Sequence, residues 1–231
     1  WIGVGYNQNG IKDLQIMDGN GKGKEYYNDG TLKFEGQYLN CQKNGKGKEY
    51  YENGKLKFEG EYSNGIRNGK GKEYLINGDL IFEGEYLDGK SWNGKGKYYE
   101  KGKLKFEGEY SNGIRNGKGK EYNFYGRLEF EGDYLYGVRN GKGKEYNLYE
   151  KLIFEGNYID GERNGKGKEY YDEEKLKFEE NSILKFEGEY KKGKRNGKGK
   201  EYYIDGTLEF EGEYLNGERY GEGKSYNMKA N

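Results

Sequence analysis

Lysine set between glycines is the combination that cradles phosphate, and GKGK recurs throughout this 231-residue chain. The nearest approach to a phosphate loop is GKSWNGKG (89–96), with Gly89 five residues before Gly94-Lys95. Such a loop needs Ser or Thr after the lysine to hold magnesium, and a helix beyond it. Gly96 stands at that place and a strand pattern follows, so the glycines read as points of close strand packing. Glu35, Glu59 and their equivalents offer carboxylates, but a catalytic acid needs a desolvated pocket to shift its pKa. Glutamates repeated along an open sheet are expected to be solvated. The chain has no His, which removes the commonest general base and metal ligand. Its one cysteine, Cys41, sits in a polar turn, so neither a zinc cluster nor a disulfide framework is expected. No catalytic residue, metal or cofactor is predicted.

The elements around these residues explain the repetition. NGKGKEY (20–26) returns letter for letter from Asn44, Asn68, Asn116, Asn140, Asn164 and Asn196, and a string used so often is building material. Phe34, Phe58, Phe82, Phe106, Phe130 and Phe154 fall 24 residues apart, followed by Phe178, Phe186 and Phe210. A fixed period in this range marks a repeat array. An extra residue near Ser91 and Trp92 is cancelled by a Glu missing from NGKGKYY (93–99), which restores the phenylalanine spacing by Phe106. Eight additional residues near 179–186 write LKFE twice, and a longer hairpin or surface bulge is expected to hold them.

Each unit reads as two strands. In LKFEGEY (56–62), Leu56, Phe58, Gly60 and Tyr62 share one parity while Lys57, Glu59 and Glu61 share the other, the pattern of a strand with one sheltered face. In GKGKEYY (45–51) one tyrosine must lie among lysines; the recurrent Tyr26 and Tyr50 are assigned a packing role, with their face left open. Asn-Gly pairs such as Asn64-Gly65 supply the positive φ that tight hairpins require, so the sheet is predicted to be an antiparallel meander. Strained or longer turns are expected where Cys41, Glu150 and Glu174 replace glycine. Proline is absent, as suits strands whose backbone N–H groups are all needed. The structural positions are therefore Tyr26, Phe34, Gly36, Tyr50, Phe58, Gly60, Phe82, Phe106, Phe130, Phe154 and Phe210. The fold is predicted to be all-β, an elongated, twisted, single-layer meander of about nine 24-residue hairpins. Residues 1–231 are read as one array, with 1–19 a degenerate or truncated unit and the whole a fragment of a longer chain.

Composition limits the partners. Only 31% of residues are hydrophobic and mean hydropathy is −1.33, so a thick dry core is not expected, yet 27 Tyr and 10 Phe set the chain apart from disordered sequences. Lys plus Arg and Asp plus Glu both total 41 and interleave, so no basic face is expected to draw nucleic acid. No apolar run approaches the ~18 residues of a membrane span. A lone cysteine and the lack of a signal-peptide pattern favour a cytoplasmic setting.

These hairpins resemble the MORN repeat, whose pattern runs approximately YEGxxxxGxxxGxGxxxxxxG: FEGEYSNGIRNGKG (58–71) and FEGEYLNGERYGEG (210–223) follow it, with Phe for the first Tyr. The resemblance implies an extended antiparallel sheet used as a scaffold or partner platform, sometimes dimerising, with lipid contact proposed for some members. The chain departs from the common pattern in having Asn68 or Tyr220 where some subfamilies carry His. The residues after the recurrent tyrosine, Tyr27, Tyr51, Tyr99, Tyr171 and Tyr203, vary among units and form a candidate partner-binding row, which Tyr125 and Tyr149 would continue by strand parity. The expected function is a non-enzymatic scaffold or protein-interaction array, with self-association as one form of it, since the same row would fit a second copy. The alternative is a module for glycan, cell wall or anionic membrane.

Overall fold

The computed structural model describes residues 2–6, 12–17, 20–172 and 182–227. Trp1, Glu174, Phe178 and part of the predicted insertion, 179–181, lie outside them. Contacts divide the chain into two units: Trp1–Lys97 with Glu109–Ile114, and Tyr98–Gly108 with Arg115–Asn231. Every regular element among the described residues is a strand.

The first unit is built on β1 (Ile2–Tyr6), β2 (Lys12–Met17), β3 (Gly21–Tyr26), β4 (Leu32–Leu39), β5 (Gln42–Tyr50), β6 (Leu56–Ser63), β7 (Ile66–Tyr74), β8 (Leu80–Leu87) and most of β9 (Lys90–Glu100). Each strand pairs antiparallel with the next from β1 through to β9. The second unit takes most of β10 (Lys103–Ser111), then β11 (Ile114–Tyr122), β12 (Leu128–Leu135), β13 (Val138–Tyr146) and β14 (Leu152–Ile159). It continues with β15 (Glu162–Tyr170), β16 (Leu184–Lys191), β17 (Lys194–Tyr202), β18 (Leu208–Leu215) and β19 (Glu218–Ser225). From β11 to β19 the pairing is again antiparallel throughout. The predicted meander is what forms.

Register explains the glycines. Gly47 lies opposite both Gly36 and Gly60, and a Cβ on Gly47 would meet Phe34 Cζ at 2.5 Å. The Phe ring thus lies close against a glycine floor. The duplicated LKFE resolves in favour of its second copy: Tyr170 pairs with Leu184 and Glu169 with Phe186, the same register as Tyr50 with Leu56 and Glu49 with Phe58. Phe186 carries the row onward.

Two kinds of turn alternate. After β4 and β6 the turn has two residues, both at positive φ, as with Asn64 (49°) and Gly65 (83°). Cys41 occupies the glycine place at φ 61° and Glu150 takes φ 58°, the strain that loss of glycine predicted; the turn at Cys41 keeps the two-residue length. The other connection is five residues long: Tyr51 N–H donates to Lys55 O (2.8 Å), and Asn53 Oδ1 accepts from Lys55 N–H (3.1 Å). Where Glu is missing before Tyr98, this connection shrinks to Lys101-Gly102.

Two stability changes follow. Cys41→Gly relieves a left-handed backbone and raises the unfolding free energy by about 1 kcal/mol, read from urea melts. Gly71→Ala, whose Cβ would stand 2.5 Å from Phe58 Cζ, lowers it by about 2 kcal/mol; unchanged stability would mean the ring moves without cost.

Candidate functional site

The side chains form two systems, one on each sheet face. On the sheltered face Phe and Tyr of successive hairpins interlock edge to face. Phe34 meets Tyr38 (ring centroids 5.7 Å) and Tyr62 (5.3 Å), and Phe58 meets Tyr62 (5.6 Å) and Tyr86 (4.9 Å). The second unit repeats this from Phe106–Tyr134 (5.2 Å) to Phe210–Tyr214 (5.7 Å). Phe34, Phe58, Phe106, Phe130, Phe154 and Phe186 are fully buried, and each ring pair adds about 1 kcal/mol beyond its buried area.

Charged side chains cover these rings. Arg67 lies over Phe58 (4.2 Å to the centroid) and reaches Glu49 and Glu73, each at 2.7 Å. Glu49 also accepts from Tyr62 OH (2.7 Å). The arrangement recurs: Arg139 lies over Phe130 (4.1 Å) and pairs with Glu121 and Glu145, while Arg163 lies over Phe154 (4.1 Å) and pairs with Glu145. Arg195 lies over Phe186 (4.3 Å) between Glu169 (3.1 Å) and Glu201. Lys43 does the same for Phe34 (4.2 Å), paired with Glu25 at 3.1 Å. Guanidinium binds carboxylate with its fork and the ring with its face, which a second hydrophobic layer would otherwise cover. The sequence reading missed this ladder. Its signal was available in the basic residue before Asn-Gly at 43, 67, 115, 139, 163 and 195, and in Glu five residues after that Asn.

The opposite face holds the recurrent tyrosine, which settles the orientation left open above. Tyr50 OH donates to Glu35 (2.7 Å) and Tyr74 OH to Glu59 (2.9 Å). Glu35 lies opposite Lys24 and Lys48, so this tyrosine keeps company with the lysines. The Lys and Glu rows pair as expected, Lys72 with Glu83 at 3.0 Å and Lys200 with Glu211 at 3.3 Å. Glu35 and Glu59 are therefore part-exposed side chains engaged by tyrosine and lysine.

The candidate row divides by position. Tyr27, Tyr51 and Tyr203 are partly buried at the start of five-residue connections and Tyr171 directly after β15, and their hydroxyls donate to the carbonyls of Tyr50, Tyr74, Tyr226 and Tyr202 respectively. Each ties its hairpin to the next. Tyr99 lies within β9. Tyr125 and Tyr149 stand at turn tips, 74% and 46% exposed, so the expectation that strand parity would place them in the row is corrected. The strand ends before them, leaving parity nothing to act on.

Charge state follows from these contacts. Burial raises the pKa of Glu49, but hydrogen bonds from Arg67 and Tyr62 outweigh it and hold the carboxyl below its ordinary value. Glu145 is lowered against burial in the same way by Arg163 and Tyr158. Burial, then the bond to Glu35, pushes Tyr50 up to about 12, and Tyr74 beside Glu59 is likewise raised to about 12. A carboxyl whose pKa is depressed on folding stabilises the fold above its unfolded pKa. That contribution is lost as pH falls through the lower folded value. Urea midpoints are therefore expected to hold near neutrality and to fall below about pH 4.5, with much less fall in Arg67→Met. At neutral pH, Arg67→Ala leaves two carboxylates facing each other across an uncovered ring and costs about 2 kcal/mol. Phenolate absorbance from Tyr50 and Tyr74 should emerge near pH 12.

Among the described residues no group of three or more His, Cys, Asp or Glu could hold a metal ion. Among the described residues no helix is long and apolar enough to cross a membrane. No curated protein matches the chain. A solved structure described as "Crystal Structure of TcdB2-TccC3-TEV" is similar at 12% identity over 93% of this chain, with a TM-score of 0.20. This chain spans only 15% of that one, and so low a score carries no argument. The family model for the MORN repeat matches residues 20–32, 34–55, 58–80, 106–123, 130–146, 154–173 and 186–208. MORN repeats occur in repeat proteins that mediate protein or membrane interactions, and the family is generally non-catalytic. With the glycine floor, the hairpin register and the family match in agreement over more than half its length, the chain belongs to the MORN repeat family.

Proposed function

We propose that this chain is a non-enzymatic scaffold whose repeats hold a protein partner, or a second copy of the chain, along their surface. One observation carries the reading. The recurrent polar side chains are spent on one another within the array, as in Tyr50 with Glu35, Glu49 with Arg67 and Lys48 with Glu59. What differs between units lies outside: the turn tips Phe124, Tyr125, Leu148 and Tyr149, and the hairpin ends Leu39, Ile66 and Leu87. A surface of exposed apolar and aromatic groups on a constant frame suits recognition of another macromolecule. The rings proposed to meet it are Tyr27, Tyr51, Tyr99, Tyr171 and Tyr203, with Tyr125 and Tyr149 from the tips. A glycan would use the same rings. Anionic membrane has less support, because lysines of the GKGK rows, such as Lys48 and Lys72, are paired with glutamates.

Crosslinking of the purified chain in a cell extract, with sedimentation of the chain alone, tests this. The expected outcome is a reproducible protein partner or a concentration-dependent dimer, lost with Tyr125→Ser combined with Tyr149→Ser while the thermal midpoint stays put. Recovery of neither partner nor dimer, or saturable binding on a glycan array instead, overturns the reading.

A further inference from the structure

The Arg–Glu ladder has one irregular rung. Glu stands five residues past the Asn of NGKG at 25, 49, 73, 121, 145, 169 and 201, but Tyr98 stands there after Asn93. Arg67, Arg139 and Arg195 each reach two carboxylates, and Arg163 reaches one; all four bind a glutamate of the preceding hairpin, Glu49, Glu121, Glu169 and Glu145 respectively. Arg115 occupies the same place over its phenylalanine, 4.1 Å from the Phe106 centroid, yet among the described residues it meets one carboxylate, Glu121, at 3.7 Å. The guanidinium also lies over the Tyr98 ring, 5.9 Å from its centroid. Its side chain is 29% exposed, against 14% for Arg195, 15% for Arg67, 23% for Arg139 and 24% for Arg163, and Tyr98 is 48% exposed. The rung is therefore open to solvent, held over an aromatic floor, and short of one anion.

We propose that this rung is a subsite for a carboxylate brought by a second molecule, an acidic side chain of a partner polypeptide, which accepts hydrogen bonds from Arg115 and completes the ladder. The neighbouring rungs show the chemistry that fits. The guanidinium frame is the same, and in each of them the group it binds is a carboxylate, whose two oxygens match the fork. Partial burial over Phe106 lowers the local dielectric, so a charge-assisted bond there is stronger than at an open surface. The Tyr98 ring offers the incoming chain an apolar contact beside the charge. The proposal deepens the interaction-array reading by giving the partner an acidic segment and a place to dock.

The test is a titration of the isotopically labelled chain with acetyl-tetraglutamate amide, following the arginine Nε–Hε resonances. Arg115 is expected to shift saturably while Arg139 and Arg163 stay in place, and the tetraglutamine peptide should leave all three unmoved. Arg115→Gln should weaken binding roughly tenfold or more, the scale of one hydrogen bond to a charged group. Tyr98→Glu should abolish the response by filling the rung from within. Equal shifts at Arg139, a response to inorganic phosphate matching that to the glutamate peptide, or one to acetate matching it at equal carboxylate concentration would each overturn the proposal, as would no shift at millimolar peptide. None of these negative results removes a partner captured by crosslinking, so the docking point and the scaffold reading fail separately.

Discussion

A sheet face carrying a row of phenylalanines has to be hidden from water, and here no second layer does it among the described residues. The cover is supplied by the same hairpins: a guanidinium over each of Phe58, Phe106, Phe130, Phe154, Phe186 and Phe210, held by carboxylates from the adjacent strands. This half-buried ion ladder is the condition for everything else. Arginine suits it because its charge is spread over a plane that stacks on a ring while its edge binds carboxylate, and it is weakly hydrated. Isolated surface pairs contribute little, but these are linked, partly desolvated and locked by tyrosine hydroxyls, the circumstances in which ion pairs matter.

The ladder, the ring zipper and the glycine floor depend on one another. Phe58 lies low enough to be covered by Arg67 only because Gly60 and Gly71 bear no Cβ. Tyr62 wedges between Phe34 and Phe58 and then hands its hydroxyl to Glu49, which fixes the carboxylate for Arg67. A hairpin alone would have half of each contact. Stability must then come from neighbours, the general condition of repeat arrays, and it places departures from the repeat under unusual scrutiny. Near Ser91 and Trp92 an arginine and a glutamate are missing together, so the two halves of one interaction vary as a pair.

Much was legible in the amino-acid order. The two-residue alternation in LKFEGEY predicted which face Phe58, Gly60 and Tyr62 take, and the Asn-Gly pairs predicted left-handed turn residues, because both follow from backbone geometry that acts within a few residues. The 24-residue spacing predicted a repeat array, and the Asn-Gly turns made each step of it antiparallel. The strain at Cys41 was likewise local. The partner row was less legible: Tyr125 and Tyr149 were placed by parity, a rule that ends where the strand does.

The sequence by itself determined the strands, the turns and the aromatic face, since each is encoded by neighbours along the chain. Only the tertiary structure decided which face Tyr50 takes, that Phe186 continues the row, and that Arg67 is shared between Glu49 and Glu73. Arg67 stands 18 residues from one carboxylate and six from the other, and it comes opposite Tyr62 only through the irregularity that shifts the register between β6 and β7. Contacts made across strands obey register, and register is set by pairing in space, which no local pattern states.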